Sequence, residues 1–122
     1  MKIIVDTNVI ISALIKNSMT RKLILRSKLE FYYPSISFYE IQKYKSLILK
    51  KAGIGSNDFD KILSKLFSCI KIIPKEKFEH KLKEAFNLIG KIDSSDVVFL
   101  ALALSFGNSV IWSNDKDFKK QK

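Results

Sequence analysis

Short apolar runs alternate with longer amphipathic stretches along the chain, and this pattern predicts strands and helices in turn. Four runs rich in β-branched or aromatic residues predict strands, and Asp or Pro directly follows three of them. The predicted strands are 2–5, 30–33, 70–73 and 109–112. The predicted helices are 9–16, 21–28, 35–50, 57–67 (capped by Ser56 or Asn57), 75–89 and 93–106, followed by a turn or short helix at 113–118 and a basic tail.

Alternating strands and helices favour an α/β fold with a parallel sheet covered by helices on both faces. The length of 122 residues favours one domain over residues 1–122. In open parallel sheets, ligands bind just beyond the carboxyl ends of the strands. Candidate functional residues are therefore expected at that edge.

Composition favours a globular protein, because hydrophobic residues make up 47% of the chain. The longest apolar run, 97–106, is too short to span a bilayer, and the start of the chain lacks the pattern of a signal peptide. These features predict a cytoplasmic protein without a membrane span. The single cysteine, Cys69, excludes an intrachain disulfide and is expected to be a buried, inert thiol.

The charge balance favours a polyanionic partner. The chain carries 22 Lys and Arg against 12 Asp and Glu, for a formal net charge of +10. Such an excess is typical of proteins that bind nucleic acid or acidic proteins. A Lys-rich solvated surface without a binding role explains the charge equally well.

Acidic residues gather at the predicted carboxyl edge of the sheet. Asp6 directly follows the first strand, and Asp115 follows the fourth by three residues. Asp93 and Asp96 begin the helix before that strand, and Glu40 lies early in the helix after the second strand. Five acids from distant parts of the chain are therefore expected to converge.

Such a cluster suits metal-dependent phosphodiester chemistry. Hard divalent cations prefer carboxylate and water oxygens as ligands. Two of them, about 3.5–4 Å apart, can activate a water and stabilise the leaving oxygen. An acidic pocket in a basic protein is the charge distribution expected of a metal-dependent nuclease.

Each acid also has a structural explanation, and the residues alone leave these alternatives open. Asp6 and Asp93 are good helix N-caps, and Glu40 fits an exposed helix position. A carboxylate at Asp96 suits the start of a helix, although its apolar neighbours make an idle carboxylate there costly. Asp115 and Asp117 fit a turn.

The other reactive or aromatic side chains carry weaker signals. The single histidine, His80, lies in a charged helix and is expected to be solvated. The four tyrosines could stack on nucleic-acid bases, but such aromatic residues are more often part of a core. They are Tyr32, Tyr33, Tyr39 and Tyr44.

Four segments in order resemble the four motifs of PIN domains. The first is an apolar strand followed by Asp-Thr-Asn, and the second is a helix with an inward Glu. The third is Asp-x-x-Asp before an apolar, Ala-containing helix, and the fourth is a strand followed by Thr/Ser-x-Asp. In this chain they are residues 3–9, 37–41, 93–103 and 110–118. Ser113 stands where the last motif often has Thr, so the hydroxyl is retained.

The resemblance implies specific roles for these residues. Asp6, Glu40, Asp96 and Asp115 would be the catalytic, metal-binding acids. Asn8 and Ser113 would orient carboxylates or water through hydrogen bonds. Asp93 and Asp117 would bind metal through water or act only structurally.

The resemblance also implies a three-layer α/β/α fold with a central parallel sheet of four or five strands. It implies Mg²⁺ or Mn²⁺ dependence and cleavage of single-stranded RNA. Many small members are VapC-like toxins of toxin–antitoxin pairs, which form homodimers and are inhibited by a small antitoxin protein. Two alternatives stay open: a non-catalytic RNA-binding module, and a DNA-directed nuclease or phosphatase with the same site chemistry.

Overall fold

One parallel sheet lies at the centre of the protein. The computed structural model of the chain describes residues 1–89 and 94–113. All four predicted strands form, and they pair in parallel in the order β3-β2-β1-β4. The strands are β1 (Lys2–Val5), β2 (Glu30–Pro34), β3 (Ile70–Ile73) and β4 (Ser109–Trp112).

Helices connect these strands. Three short 3-10 helices, Ser35–Ser37, Lys75–Lys77 and Glu79–Lys81, supplement the α-helices. The α-helices of the described residues are α1 (Thr7–Ile15), α2 (Met19–Arg26), α3 (Phe38–Lys43), α4 (Lys45–Ala52), α5 (Ser56–Phe67), α6 (Leu82–Ile89) and α7 (Ser94–Phe106).

Different helices cover the two faces of the sheet. Ile3 pairs with Phe31, so both side chains lie on one face. Together with Leu23 of α2 they line an apolar hollow on that face. On the opposite face, Tyr32 packs against Phe106 of α7, with ring centroids 4.8 Å apart. The protein therefore has the predicted three-layer α/β/α architecture, with four parallel strands in the described residues.

The core fills the space between the sheet and the two helical layers. Its largest fully buried side chains include Tyr33, Phe59, Phe78 and Phe99. Burying a side chain of this kind stabilises the fold by about 1.5–3 kcal/mol. Packing of both apolar faces therefore fixes where the strand ends lie.

Two predicted helices are interrupted. The prediction for 35–50 is wrong in continuity, because a 3-10 turn follows Pro34 and the helix breaks at Tyr44 between α3 and α4. The prediction for 75–89 is wrong at its start, where two 3-10 helices precede α6. They flank Phe78, whose backbone is not helical (φ −136°, ψ 0°) and whose side chain is fully buried. Burial of this ring overrides the helical charge pattern.

Helix ends also differ from prediction. Helix α1 begins at Thr7 with Asp6 as its N-cap, two residues before the predicted start. Helix α5 begins at Ser56, so its N-cap is Gly55, with no side-chain cap, and not Ser56 or Asn57. Local capping preference is weak beside the packing of Phe59.

Cys69 is exposed, so the prediction of a buried thiol is wrong. It lies between α5 and β3, where its neighbours Leu66 and Ile70 take the buried positions instead. Among the described helices, none combines the length and apolarity needed to cross a membrane.

Candidate active site

Asp6 lies at the carboxyl end of the central strand β1. Its backbone N–H donates to the Trp112 carbonyl at 3.1 Å, which extends the pairing of β1 with β4 by one residue. Its Oδ1 accepts a hydrogen bond from the Asn8 backbone N–H at 3.2 Å and so caps α1. The residue is only 5% exposed. Asp6 is therefore both a helix cap and a buried carboxylate at the edge where ligands bind.

The second carboxylate oxygen of Asp6 is held by the other end of the chain. The Ser113 hydroxyl donates to Asp6 Oδ2 at 2.5 Å. The register of the sheet explains the contact, because Val5 lies opposite Trp112 and the next residues meet just beyond the strands. Two donors on separate oxygens fix the orientation of this carboxylate.

Thr7 brings Glu40 to the same edge. The Thr7 hydroxyl donates to Glu40 Oε1 at 2.8 Å, and Glu40 is partly buried in α3. Thr7 directly follows Asp6 and is itself 4% exposed. The hydrogen bond therefore joins Glu40 to the residue next to Asp6, although Thr7 and Glu40 are 33 positions apart in the sequence.

A buried tyrosine completes this network. Tyr33 Oη lies 2.7 Å from Thr7 Oγ1 and donates to the Ser37 carbonyl at 2.9 Å. Sequence reasoning included neither Thr7 nor Tyr33 in the site. The available signals were the place of Thr7 inside Asp-Thr-Asn and the place of Tyr33 at the carboxyl end of the second predicted strand.

Asp96 is the third predicted acid that the structure describes. It lies in the first turn of α7 and is 6% exposed. Phe99, one helical turn later, packs against Tyr33 with ring centroids 5.9 Å apart. Since three residues of helix advance only about 4.5 Å, the start of α7 lies near the Tyr33–Thr7 network. A carboxylate there also suits the helix dipole.

The electrostatics of Tyr33 report on the acids around it. Burial raises the pKa of Tyr33 well above its ordinary value of 10.0, while the hydrogen bond with Thr7 opposes this shift. The charges of Glu40 and Asp6 raise the same pKa further. Both carboxylates thus lie close enough to one buried hydroxyl to affect its pKa.

The remaining predicted site residues either lie outside the described residues or contribute through the backbone. Asp93, Asp115 and Asp117 lie outside the described residues. Asn8 contributes its backbone N–H to Asp6, while its side chain is exposed. Within residues 1–89 and 94–113, no three His, Cys, Asp or Glu side chains lie close enough together to hold a metal ion.

The chemistry of the described donors nevertheless fits a hard divalent cation. Asp6, Glu40 and Asp96 offer carboxylate oxygens at or near one edge, and hydroxyl donors hold two of them. Carboxylate oxygens are the ligands that Mg²⁺ and Mn²⁺ prefer. Asp115 comes two residues after Ser113, which contacts Asp6.

Other candidate side chains divide between surface and core. His80 is exposed, as predicted. Tyr32 and Tyr33 are buried, whereas Tyr39 and Tyr44 are 62% and 40% exposed. Only the latter two tyrosines are placed to meet a large ligand.

Comparison with known proteins agrees with this geometry. A family model described as PIN domain matches residues 4–121. A search of curated proteins finds no match. The family match covers the last two residues of β1, all of β2, β3 and β4, and every predicted site residue.

Proposed function

Because the chain belongs to the PIN-domain family, whose members are generally nucleases, we propose that it is a metal-dependent endoribonuclease acting on single-stranded RNA. The observation that carries the proposal is the buried Asp6 carboxylate. It lies at the carboxyl end of the central strand, held by two donors, with Glu40 joined to the adjacent Thr7.

The proposed metal ligands are acidic residues. Asp6, Glu40, Asp96 and Asp115 would hold Mg²⁺ or Mn²⁺, with Asp93 and Asp117 contributing through water or by supporting the others. The bound ions would supply an activated water and would stabilise the leaving oxygen of the phosphodiester. The alternative of an Asp6 that serves only as a helix cap does not account for its hydrogen bond from Ser113.

The protein's own groups supply orientation. Ser113 and the Asn8 backbone N–H hold the two oxygens of Asp6, and Thr7 holds one oxygen of Glu40. Carboxylates fixed in this way need little rearrangement as charge develops at the scissile phosphate. Preorganisation of this kind is the main contribution we assign to the fold.

The surface beside Glu40 suits a single strand. Tyr39 is exposed next to Glu40, and its phenol is one of the groups that affect the pKa of Tyr33. About one helical turn after Tyr39, the Lys43 ammonium lies 5.5 Å from the centroid of the Tyr44 ring. Exposed aromatic rings stack on unpaired bases, and lysines pair with phosphates. This combination favours single-stranded RNA over a small phosphate ester.

A role as the toxin of a toxin–antitoxin pair is a further part of the proposal. An apolar hollow of about 190 Å³ lies beside the site between α1 and α4. Leu47 at its rim is 48% exposed, which supports a protein partner for this surface. The lining residues are Asn8, Ile11, Ile15, Tyr44, Leu47, Ile48 and Lys51.

The toxin proposal has its own test. A small antitoxin protein encoded beside this gene would inhibit cleavage when mixed with the purified chain, and light scattering would give the mass of a homodimer. A neighbouring gene product that neither binds nor inhibits would reject the toxin role without affecting the nuclease proposal.

The central test compares purified protein with Mg²⁺, Mn²⁺ or EDTA on single-stranded RNA, DNA and a phosphate monoester. Metal-stimulated RNA cleavage is expected, and Asp6→Asn should abolish it while circular dichroism stays unchanged. Asn is as good an N-cap as Asp, so the substitution removes charge and leaves α1 capped. Asp60→Asn, at a surface ion pair with Lys45, is the matched control.

Three results would decide against the proposal. Cleavage in EDTA would reject the metal mechanism. RNA binding without cleavage under every metal condition would favour a non-catalytic RNA-binding module. Preferential cleavage of DNA or of the monoester would favour a DNA-directed nuclease or a phosphatase with the same site chemistry.

A further inference from the structure

Tyr33 is a buried polar side chain for which the proposed chemistry has no direct use. It has no exposed surface, and aromatic rings enclose it on three sides. The ring centroids of Phe38, Phe67 and Phe99 lie 5.5, 5.5 and 5.9 Å from its own. The phenol oxygen is therefore held at a fixed point beneath the carboxyl edge of the sheet.

The hydrogen bonds at this point form a continuous network. Thr7 donates to the Glu40 carboxylate at 2.8 Å. The Tyr33 hydroxyl donates to the Ser37 carbonyl at 2.9 Å and lies 2.7 Å from Thr7 Oγ1, where either hydroxyl can be the donor. A chain of hydrogen-bonded groups thus connects Tyr33 through Thr7 to the Glu40 carboxylate.

This network gives Tyr33 a role that a core aromatic residue does not need. Hydrogen bonds in a connected chain polarise and strengthen one another, so the Tyr33 contact supports the bond from Thr7 to Glu40. It also restrains the Thr7 rotamer, since Thr7 Oγ1 contacts Tyr33 on one side and donates to Glu40 on the other. Glu40 belongs to a six-residue helix, so this contact at its carboxylate counts strongly in its placement relative to Asp6.

We propose that Tyr33 is a positioning residue that, acting through Thr7, holds the Glu40 carboxylate in place for a divalent cation. The proposal rests on the function proposed above for Glu40. It predicts that removing one buried hydroxyl, which touches neither metal nor RNA, weakens metal binding.

The test is Mn²⁺ affinity, measured by isothermal titration calorimetry on the full chain, with thermal unfolding recorded in parallel. Tyr33→Phe is expected to weaken Mn²⁺ binding by about 10-fold or more, the usual range for groups that orient ligands being about 10–100-fold. Thr7→Val should do the same, and Thr7→Ser should restore binding because it keeps the hydroxyl. Tyr32→Phe is the matched control, since the neighbouring phenol bonds only weakly to Glu30 at 3.5 Å.

A double substitution separates positioning from a purely structural role. In the Glu40→Gln background, Tyr33→Phe should cause no further loss of Mn²⁺ affinity. Unchanged Mn²⁺ affinity in Tyr33→Phe, even with a lower melting temperature, would overturn the proposal. So would an additive loss in the double variant, or a Glu40→Gln protein that binds Mn²⁺ as the wild type does.

The outcome is distinguishable from failure of the proposed function. A wild-type protein that binds Mn²⁺ but cleaves no nucleic acid would reject the nuclease proposal, while the affinities of the variants would still decide the role of Tyr33. A wild-type protein that does not bind Mn²⁺ would overturn both.

Discussion

The Ser113 hydroxyl and the Asp6 carboxylate form a 2.5 Å hydrogen bond between residues 107 positions apart. A short O–H···O⁻ bond of this kind is charge-assisted and among the stronger hydrogen bonds in proteins. It joins the end of β4 to the end of β1 through the acid that the proposed mechanism most requires.

Loss of the Ser113 hydroxyl should therefore impair metal binding. Ser113→Ala is expected to weaken Mn²⁺ affinity by about 10–100-fold, measured by calorimetry, while Ser113→Thr should retain it. Ser105→Ala is the control, because that hydroxyl donates to the Leu102 carbonyl within α7. Equal affinities in Ser113→Ala and the wild type would show that Mn²⁺ binding does not depend on the hydrogen bond from Ser113 to Asp6.

Ionisation of Tyr33 should lower the stability of the folded protein at alkaline pH. Its pKa is raised in the folded protein above the ordinary 10.0, so above that pH the unfolded chain loses the phenol proton before the folded chain does. The unfolded state then binds fewer protons, and stability falls as pH rises. The difference in melting temperature between wild type and Tyr33→Phe should shrink from pH 9 to pH 11. A constant difference would contradict this linkage.

The exposed ring of Tyr39 should contribute to RNA affinity. Tyr39→Ala is expected to weaken binding of single-stranded RNA by about 5-fold or more, since stacking is worth about 1–3 kcal/mol per base, and Tyr39→Phe should bind normally. Fluorescence polarisation in an Asp6→Asn background measures binding without cleavage. Phe86→Ala on α6, a ring 55% exposed, is the control. Equal losses in Phe86→Ala and Tyr39→Ala would mean that no stacking site lies beside Glu40.

The Arg21 side chain links α2 to the end of α1 by hydrogen bonds. Its Nε donates to the Ala13 carbonyl at 2.7 Å and its terminal nitrogen to the Leu14 carbonyl at 3.3 Å, which satisfies acceptors of the last turn of α1. Hydrogen bonds from charged groups are worth about 1.5–3 kcal/mol. Arg21→Ala should lower the free energy of urea unfolding by about that amount, and Arg26→Ala, on the exposed end of α2, should have little effect. Comparable losses in the two variants would argue against a specific role for Arg21.

The strands were predictable because short apolar runs, three of them followed by Asp or Pro, are strong local signals. Their parallel pairing followed from the alternation of strands with helices. The breaks at Tyr44 and Phe78 carried no such local signal, and the break at Phe78 depends on a ring that only the tertiary structure buries. The same limit explains Cys69: its apolar neighbours suggested burial, but only the fold decides which side of the chain turns inward at the α5–β3 junction.

The residues of the candidate site were likewise only partly predictable from the sequence. Asp6 was predictable from its position after a strand, and Ser113 from the resemblance of its motif. The positions of Thr7 in its motif and of Tyr33 at a strand end were weaker signals, because a hydroxyl acquires a role only when folding gives it a partner. The partners of the Thr7 hydroxyl, Tyr33 and Glu40, are 26 and 33 residues from it along the chain. Local sequence patterns do not specify contacts over such separations.

The pairing of the first strand with the last has a consequence during synthesis. On the ribosome, β1 and Asp6 emerge early, but the neighbour that completes the pairing of β1 and supplies the Ser113 hydroxyl emerges more than a hundred residues later. The Asp6 carboxylate therefore gains its Ser113 donor only after β4 has been synthesised and has paired with β1.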